Sequence, residues 1–434
     1  MDSLHLPNSF FVSRRKFLTD RLDTKSLFLI FSPDEYHRNG DQYFPFRQNS
    51  DLYHLCGINQ EETILMLNHI DNKWNEMLFI KHIDNKQRIW HGEKLEKKDA
   101  GEISGIQRVE WNTSFEEIVL QNLEFIDTIY YVKTPNLISF DNCPTSNMRR
   151  IDALKKEFPE KKFIAVNDIL AESRLIKKPE ELKVIRQAIA ITKDAYAGIL
   201  ENTCPNKYEY EIEADIIYHF IRRGAAGHAY SPIVASGINA CILHYVDNDK
   251  IMKDNELLLL DFGAEYGNYA ADCSRTIPIN GKFSARQRDC YNAVLRVYNK
   301  AHSLYIPGNT IDFINEKVGQ WMQEEMIQLG LFTQKEVDKN KAEEPLYKRY
   351  FMHGTAHFIG LDVHDVGTKQ TPFKEGMLLS CEPGLYIEEE GIGIRIETDI
   401  LVGDTPVDLM ADFAVSVDDI EKAMHSHNIA SKKR

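Results

Sequence analysis

The chain has 434 residues, 43% hydrophobic and 27% charged, the proportions of an ordinary water-soluble protein long enough for two cores. A formal charge of −14 weighs against a general nucleic-acid or anionic-membrane surface, which needs positive charge. No run approaches the ~20 apolar residues of a membrane span. Seven scattered cysteines without a CxxC read as reduced thiols of a cytoplasmic protein rather than a disulfide framework.

Near the start, "SRRKFL" (13–18) has the look of a twin-arginine export motif, but the only apolar run behind it is Leu27–Phe31. That run is too short for a signal segment, so the region reads as a basic amphipathic helix followed by a first strand. Short apolar runs then alternate with polar segments: "SLFLIF", "ETILML", "EMLFI", "DTIYYV" and "KFIAV", with "SFEEIVLQNL" as a helix between them. This half is read as α/β. Basic "IKKP" marks a boundary, giving domains 1–174 and 175–434. Pro179 followed by Glu180 and Glu181 is a helix start, because carboxylates there meet the positive end of the helix dipole.

The second half is expected to be α+β, with helices over 178–200, 207–223, 284–305 and 310–329 and an irregular segment over 331–352. Its strands are expected in two hairpins, "ELLLLDFGAEYGNYAADCSRTIPI" and "GMLLSCEPGLYIEEEGIGIRIETDILV". If Tyr266–Gly267 form the first turn centre, Asp261 and Asp272 face each other across the strands. Two opposed carboxylates repel, and burial sharpens the conflict, so a shared proton, an arginine or a metal ion must hold them.

In the second hairpin Glu382 ends a buried run, and period-two alternation puts Arg395 and Glu397 opposite Ile392, Ile394 and Ile396. An Arg395–Glu397 pair is one explanation, yet four carboxylates exceed what one arginine neutralises. "HGTAHFIGLDVHDVG" (353–367) adds three of the chain's fifteen histidines. Four carboxylates with His357 suit two divalent cations, and the oxygen-rich set favours manganese over a closed zinc site. Such a pair of ions supports metal-assisted hydrolysis. Gly354 and Gly360 would let the backbone approach the ions closely.

These segments, with "ASGINACILHY" and the N-terminal "FPFRQNSDLYHLCGI", resemble the aminopeptidase P group of metallopeptidases with the pita-bread fold, over nearly the whole chain. The resemblance implies Asp261, Asp272, His357, Glu382 and Glu397 as metal ligands and His244 at the scissile peptide. It implies substrate contacts at His364 and His353, and Tyr386 and Arg395 beside the metals. Trp90, in "RIWHGEKL", is similar to a tryptophan that reaches a neighbouring subunit's site, which implies a homo-oligomer, dimer or tetramer. The implied activity is release of the first residue from peptides with proline second, Glu382 taking the proton of the attacking water. Prolidase, limited to Xaa-Pro dipeptides, and a catalytically inactive peptide-binding scaffold are the competing readings.

Overall fold

The computed structural model describes residues 6–135, 143–342 and 344–431. The chain forms two compact units, His5–Arg174 and Leu175–Arg434.

The N-terminal unit is built on a six-stranded sheet. Its order is Arg108–Trp111, Lys73–Ile80, Ile64–Ile70, Ser26–Phe31, Thr128–Tyr131 and Lys162–Ala165. Ser26–Phe31 runs antiparallel to Ile64–Ile70 and parallel to Thr128–Tyr131. Every residue of this strand is buried, which is why "SLFLIF" lacks polar alternation: both sheet faces are covered. Phe28 and Ile30 pack on one side with Leu65, Leu67 and Leu78. Leu27, Leu29 and Phe31 pack on the other with Met66, Phe79 and Phe115.

The C-terminal unit opens with the helix Pro179–Asn202, whose Glu181 carboxylate accepts the Lys178 N–H at 2.8 Å. Further helices are Glu209–Arg222, Ala285–Ala301 and Ile311–Gln328. The expected irregular segment holds the short helix Gln334–Lys339 and one 3-10 turn, Leu346–Arg349. No described helix is long and apolar enough to cross a membrane.

Both hairpins are present, each with an interrupted ladder. In the first, Leu257–Asp261 pairs with Ser274–Pro278, and Ala264–Tyr266 with Tyr269–Ala270 beyond the gap. Here the register corrects the expectation. Tyr266 pairs with Tyr269, so the turn centre is Gly267–Asn268, and Asp261 faces Ser274 rather than Asp272. The cause is turn chemistry: both central residues have positive φ, 54° and 64°, which glycine and asparagine accept and tyrosine resists. A two-residue shift preserves side-chain parity, so Asp261 and Asp272 still share a face. In the second hairpin, Leu378–Cys381 pairs with Thr398–Leu401 and Gly384–Ile387 with Ile392–Arg395. This register sets Glu382 opposite Glu397 within the interruption.

Candidate active site

The gaps in the two hairpins, the loop after His353 and the turn at His244 converge on one cavity of about 310 Å³. Asp261, Asp272, His357, Glu382, Glu397, Arg395, His244, His353 and His364 all line it. Ile233, Leu243, Val246 and Val363 supply an apolar part of the wall. Tyr386 is buried and hydrogen-bonds to two of the lining residues. Trp90 belongs to the N-terminal unit, on the helix Asn85–His91, and is 76% exposed.

The carboxylates are nearly enclosed, Asp272 at 4% and Glu397 at 2% exposure. Arg395 does not pair with Glu397. It donates from Nη2 to Asp261 Oδ2 at 2.6 Å and from Nε to Ser274 Oγ at 2.8 Å. The Ser274 hydroxyl in turn donates to Glu397 Oε2 at 2.7 Å. Tyr230 Oη lies 2.6 Å from Oδ1 of both Asp261 and Asp272. A phenol carries one proton, so it satisfies one of these oxygens and leaves the other facing a lone pair.

Burial is the main influence on the acids here. It pushes Glu382 up to about 7, with Asp272 and Asp261 adding to the effect against His357 and Arg395. Asp261 and Glu397 are likewise raised by burial, with neighbouring carboxylates reinforcing it. Burial opposes a charge on His357, but its hydrogen bond to Asp272 and the nearby carboxylates prevail and lift it to about 9. The site as built is short of positive charge.

Its donors suit a metal. Ligand atoms of Asp272, His357 and Glu397 lie within 4.8 Å of one another. His357 Nδ1 is 3.1 Å from the Phe358 carbonyl, which keeps one proton there, so that Nε2, 3.2 Å from Asp272 Oδ2, becomes a lone-pair donor once its own proton leaves. Fixing one ring nitrogen on a backbone carbonyl is how metal-binding histidines are oriented.

A second hydrogen-bond chain runs along one wall. Arg395 Nη1 donates to Tyr386 Oη at 3.0 Å, and Tyr386 Oη is 2.7 Å from His353 Nε2. His353 Nδ1 is 2.6 Å from the Gly354 carbonyl, so the ring donates there and accepts from Tyr386. Burial, with Arg395 beside it, holds His353 down to about 3, hence neutral. The His364 ring meets that of His357 edge-on at 4.3 Å. Burial and His357 lower its pKa.

Three contributors were not read from the sequence. Tyr230 sits before a Ser-Pro step, in a stretch that the hairpin and histidine patterns do not reach. Ser274 is one hydroxyl in a strand. Asp399 is fully buried behind the site, where Oδ2 accepts the Asp272 N–H at 3.4 Å; its spacing from Glu397 offered a clue. The glycine expectation also changes. Gly354 has ordinary free space, whereas a Cβ at Gly360 would collide with the Asp365 carboxylate, so that glycine answers to a neighbouring side chain rather than to a metal.

Residues 183–404 match the model of metallopeptidase family M24, and residues 11–130 match the aminopeptidase P N-terminal domain. The chain belongs to metallopeptidase family M24. Among relatives in the family, the Xaa-Pro aminopeptidase of Haemophilus influenzae is 34% identical over 92% of both chains. That of Escherichia coli is 35% identical over 91% of this chain and 92% of its own. The solved zinc-substituted E. coli aminopeptidase P with product superposes with a TM-score of 0.88 at 32% identity, covering 98% of this chain and 99% of that one. This M24 protein is a metallo-aminopeptidase on the pita-bread fold, an exopeptidase that uses divalent metal.

Proposed function

We propose that the protein is an Xaa-Pro aminopeptidase, hydrolysing the bond between the first residue of a peptide and a proline in second position. The observation that carries this reading is the gathering of five metal-type donors and three further histidines around one cavity. The names of the relatives in H. influenzae and E. coli agree with it.

Asp261, Asp272, His357, Glu382 and Glu397 would hold two divalent ions, and the oxygen-rich set favours manganese. Bound there, the ions supply activation of water and polarisation of the scissile carbonyl. Glu382 accepts a proton from the attacking water and returns it to the proline nitrogen as the peptide bond breaks, acid–base work open to a carboxylate that lines the cavity. His244 hydrogen-bonds the carbonyl oxygen as negative charge develops on it. His364 and His353 bind the substrate around the proline, which brings no N–H of its own. Arg395 holds Asp261 and Tyr386 in place, and Tyr386 orients His353.

Ile89 and Trp90 are 83% and 76% exposed on a helix without a buried residue, which suits contact with a partner subunit in a homo-oligomer whose Trp90 reaches the neighbouring site. All seven cysteines are free thiols, in keeping with a reducing, cytoplasmic setting. The deciding measurement is kcat/KM for a matched Xaa-Pro dipeptide, tripeptide and pentapeptide, each with an Xaa-Ala control, with and without manganese. Cleavage of the longer Xaa-Pro peptides at least as well as the dipeptide is expected. Activity confined to the dipeptide, or indifference to proline, overturns the reading.

A further inference from the structure

Glu209 opens the helix Glu209–Arg222 and is wholly buried. Its carboxylate accepts five hydrogen bonds. Oε1 receives the Ser236 N–H at 2.7 Å, the Ser236 hydroxyl at 2.7 Å and Asn239 Nδ2 at 3.2 Å. Oε2 receives the Tyr245 hydroxyl at 2.7 Å and the Lys250 N–H at 3.0 Å. These donors stand in for the water that a buried carboxylate loses, and bonds to an ionised acceptor are the strong kind.

All five donors lie within residues 236–250, the segment that carries His244. One side chain therefore ties the beginning, middle and end of that segment. Tyr245, directly after His244, is buried at 6% exposure with its hydroxyl on Glu209, while His244 projects into the active-site cavity. An acid at a helix start ordinarily serves the amides of its own helix. The oxygens of Glu209 are instead spent on a different stretch of chain.

We propose that Glu209 is a positioning residue that sets the His244 turn against the substrate. The proposal rests on the reading of His244 as a group that contacts the reacting carbonyl. Misplacing such a group by about 1 Å costs roughly a hundredfold in rate.

The test is a double-mutant cycle between Glu209→Gln and His244→Ala, with kcat and KM measured per folded, metal-loaded protein. Both oxygens of Glu209 accept a backbone N–H. Whichever way glutamine turns its amide, an N–H then faces an N–H, so the change loosens the segment while keeping its volume. Glu209→Gln is expected to lower kcat about 10- to 100-fold with metal content unchanged. In the His244→Ala background the same change is expected to alter kcat less than about twofold, the mark of two residues acting as one unit. Tyr245→Phe, which removes one of the five bonds to Glu209 together with a longer contact to Asp249 at 3.5 Å, runs through the same cycle with a smaller effect and decides the matter should Glu209→Gln not fold. Equal factors in both backgrounds, or full kcat in folded Glu209→Gln, overturn the proposal. Full activity in His244→Ala alone defeats the reading of His244 beneath it, a result distinguishable from the other two.

Discussion

Lys177 and Asp365 form an ion pair at 3.1 Å with each side chain only 1% exposed. The pair ties the first residues of the catalytic unit to the loop bearing His357 and His364. Removing one partner takes the opposite charge from a buried ion, at a cost of up to about 3–5 kcal/mol. Lys177→Met is expected to lose that much stability by urea unfolding, and the double change Lys177→Met with Asp365→Leu to recover most of it. A single variant as stable as the parent contradicts the assignment.

Metal binding should strengthen as pH rises. In the ion-free protein His357 is lifted to about 9 and Glu382 to about 7, so at pH 6 both hold protons that ligation must displace. Calorimetric titration with manganese in buffers of different ionisation enthalpy is expected to show proton release and an affinity that climbs from pH 6 to 9. Elemental analysis should find two ions per chain, lost with activity in Asp272→Ala and Glu397→Ala. Full peptidase activity in ion-free protein rules the proposed ligand set out.

His244→Ala and His364→Ala should each reduce kcat by roughly two to four orders of magnitude, the scale of a lost catalytic donor or acid–base group. Neither is needed to complete the ligand set, so metal content should hold. Ion loss on His364→Ala would move that ring into the coordination sphere.

His228 gives stability an acid limit. Its ring packs edge-on to Phe220 at a centroid distance of 5.3 Å, and neither buried ring nitrogen has a hydrogen-bond partner. Burial lowers its pKa below the usual 6.5, against the pull of Glu213. The folded state therefore favours the neutral ring, so its stability contribution is present above the unfolded pKa and declines as pH falls through the folded one. His228→Phe should lose less stability than the parent between pH 7 and 5 by urea unfolding. Parallel pH curves for the two proteins refute this.

The α+β class, the long helices and both hairpins were legible because each depends on local periodicity. The register of the first hairpin was not read correctly, although the means were present: of the candidate centres in "EYGNYA", Gly-Asn accepts two positive φ angles and Tyr-Gly does not. Arg108–Trp111 passed unnoticed because a four-residue, half-buried edge strand has too little pattern. The partner of Arg395 could not be read from alternation, which shows that Arg395 and Glu397 share a face but not that Asp261 comes from another hairpin to take the guanidinium. Tyr230 and Glu209 stayed silent for the same reason: their importance is created by what the tertiary fold brings to them.

The opposition of Glu382 and Glu397 on one hairpin, with Asp261 and Asp272 on another, has a consequence for how the chain is made. On the proposed ligand set, no ion can be fully held until position 397 has been synthesised and has closed back on position 261. The entropy of closing so long a loop must be met first, and contacts this distant in sequence form slowly. Ions that bind only the closed form draw the equilibrium toward it by mass action. On that ligand set, the ion acts as a ligand for the closed chain as well as for the reaction.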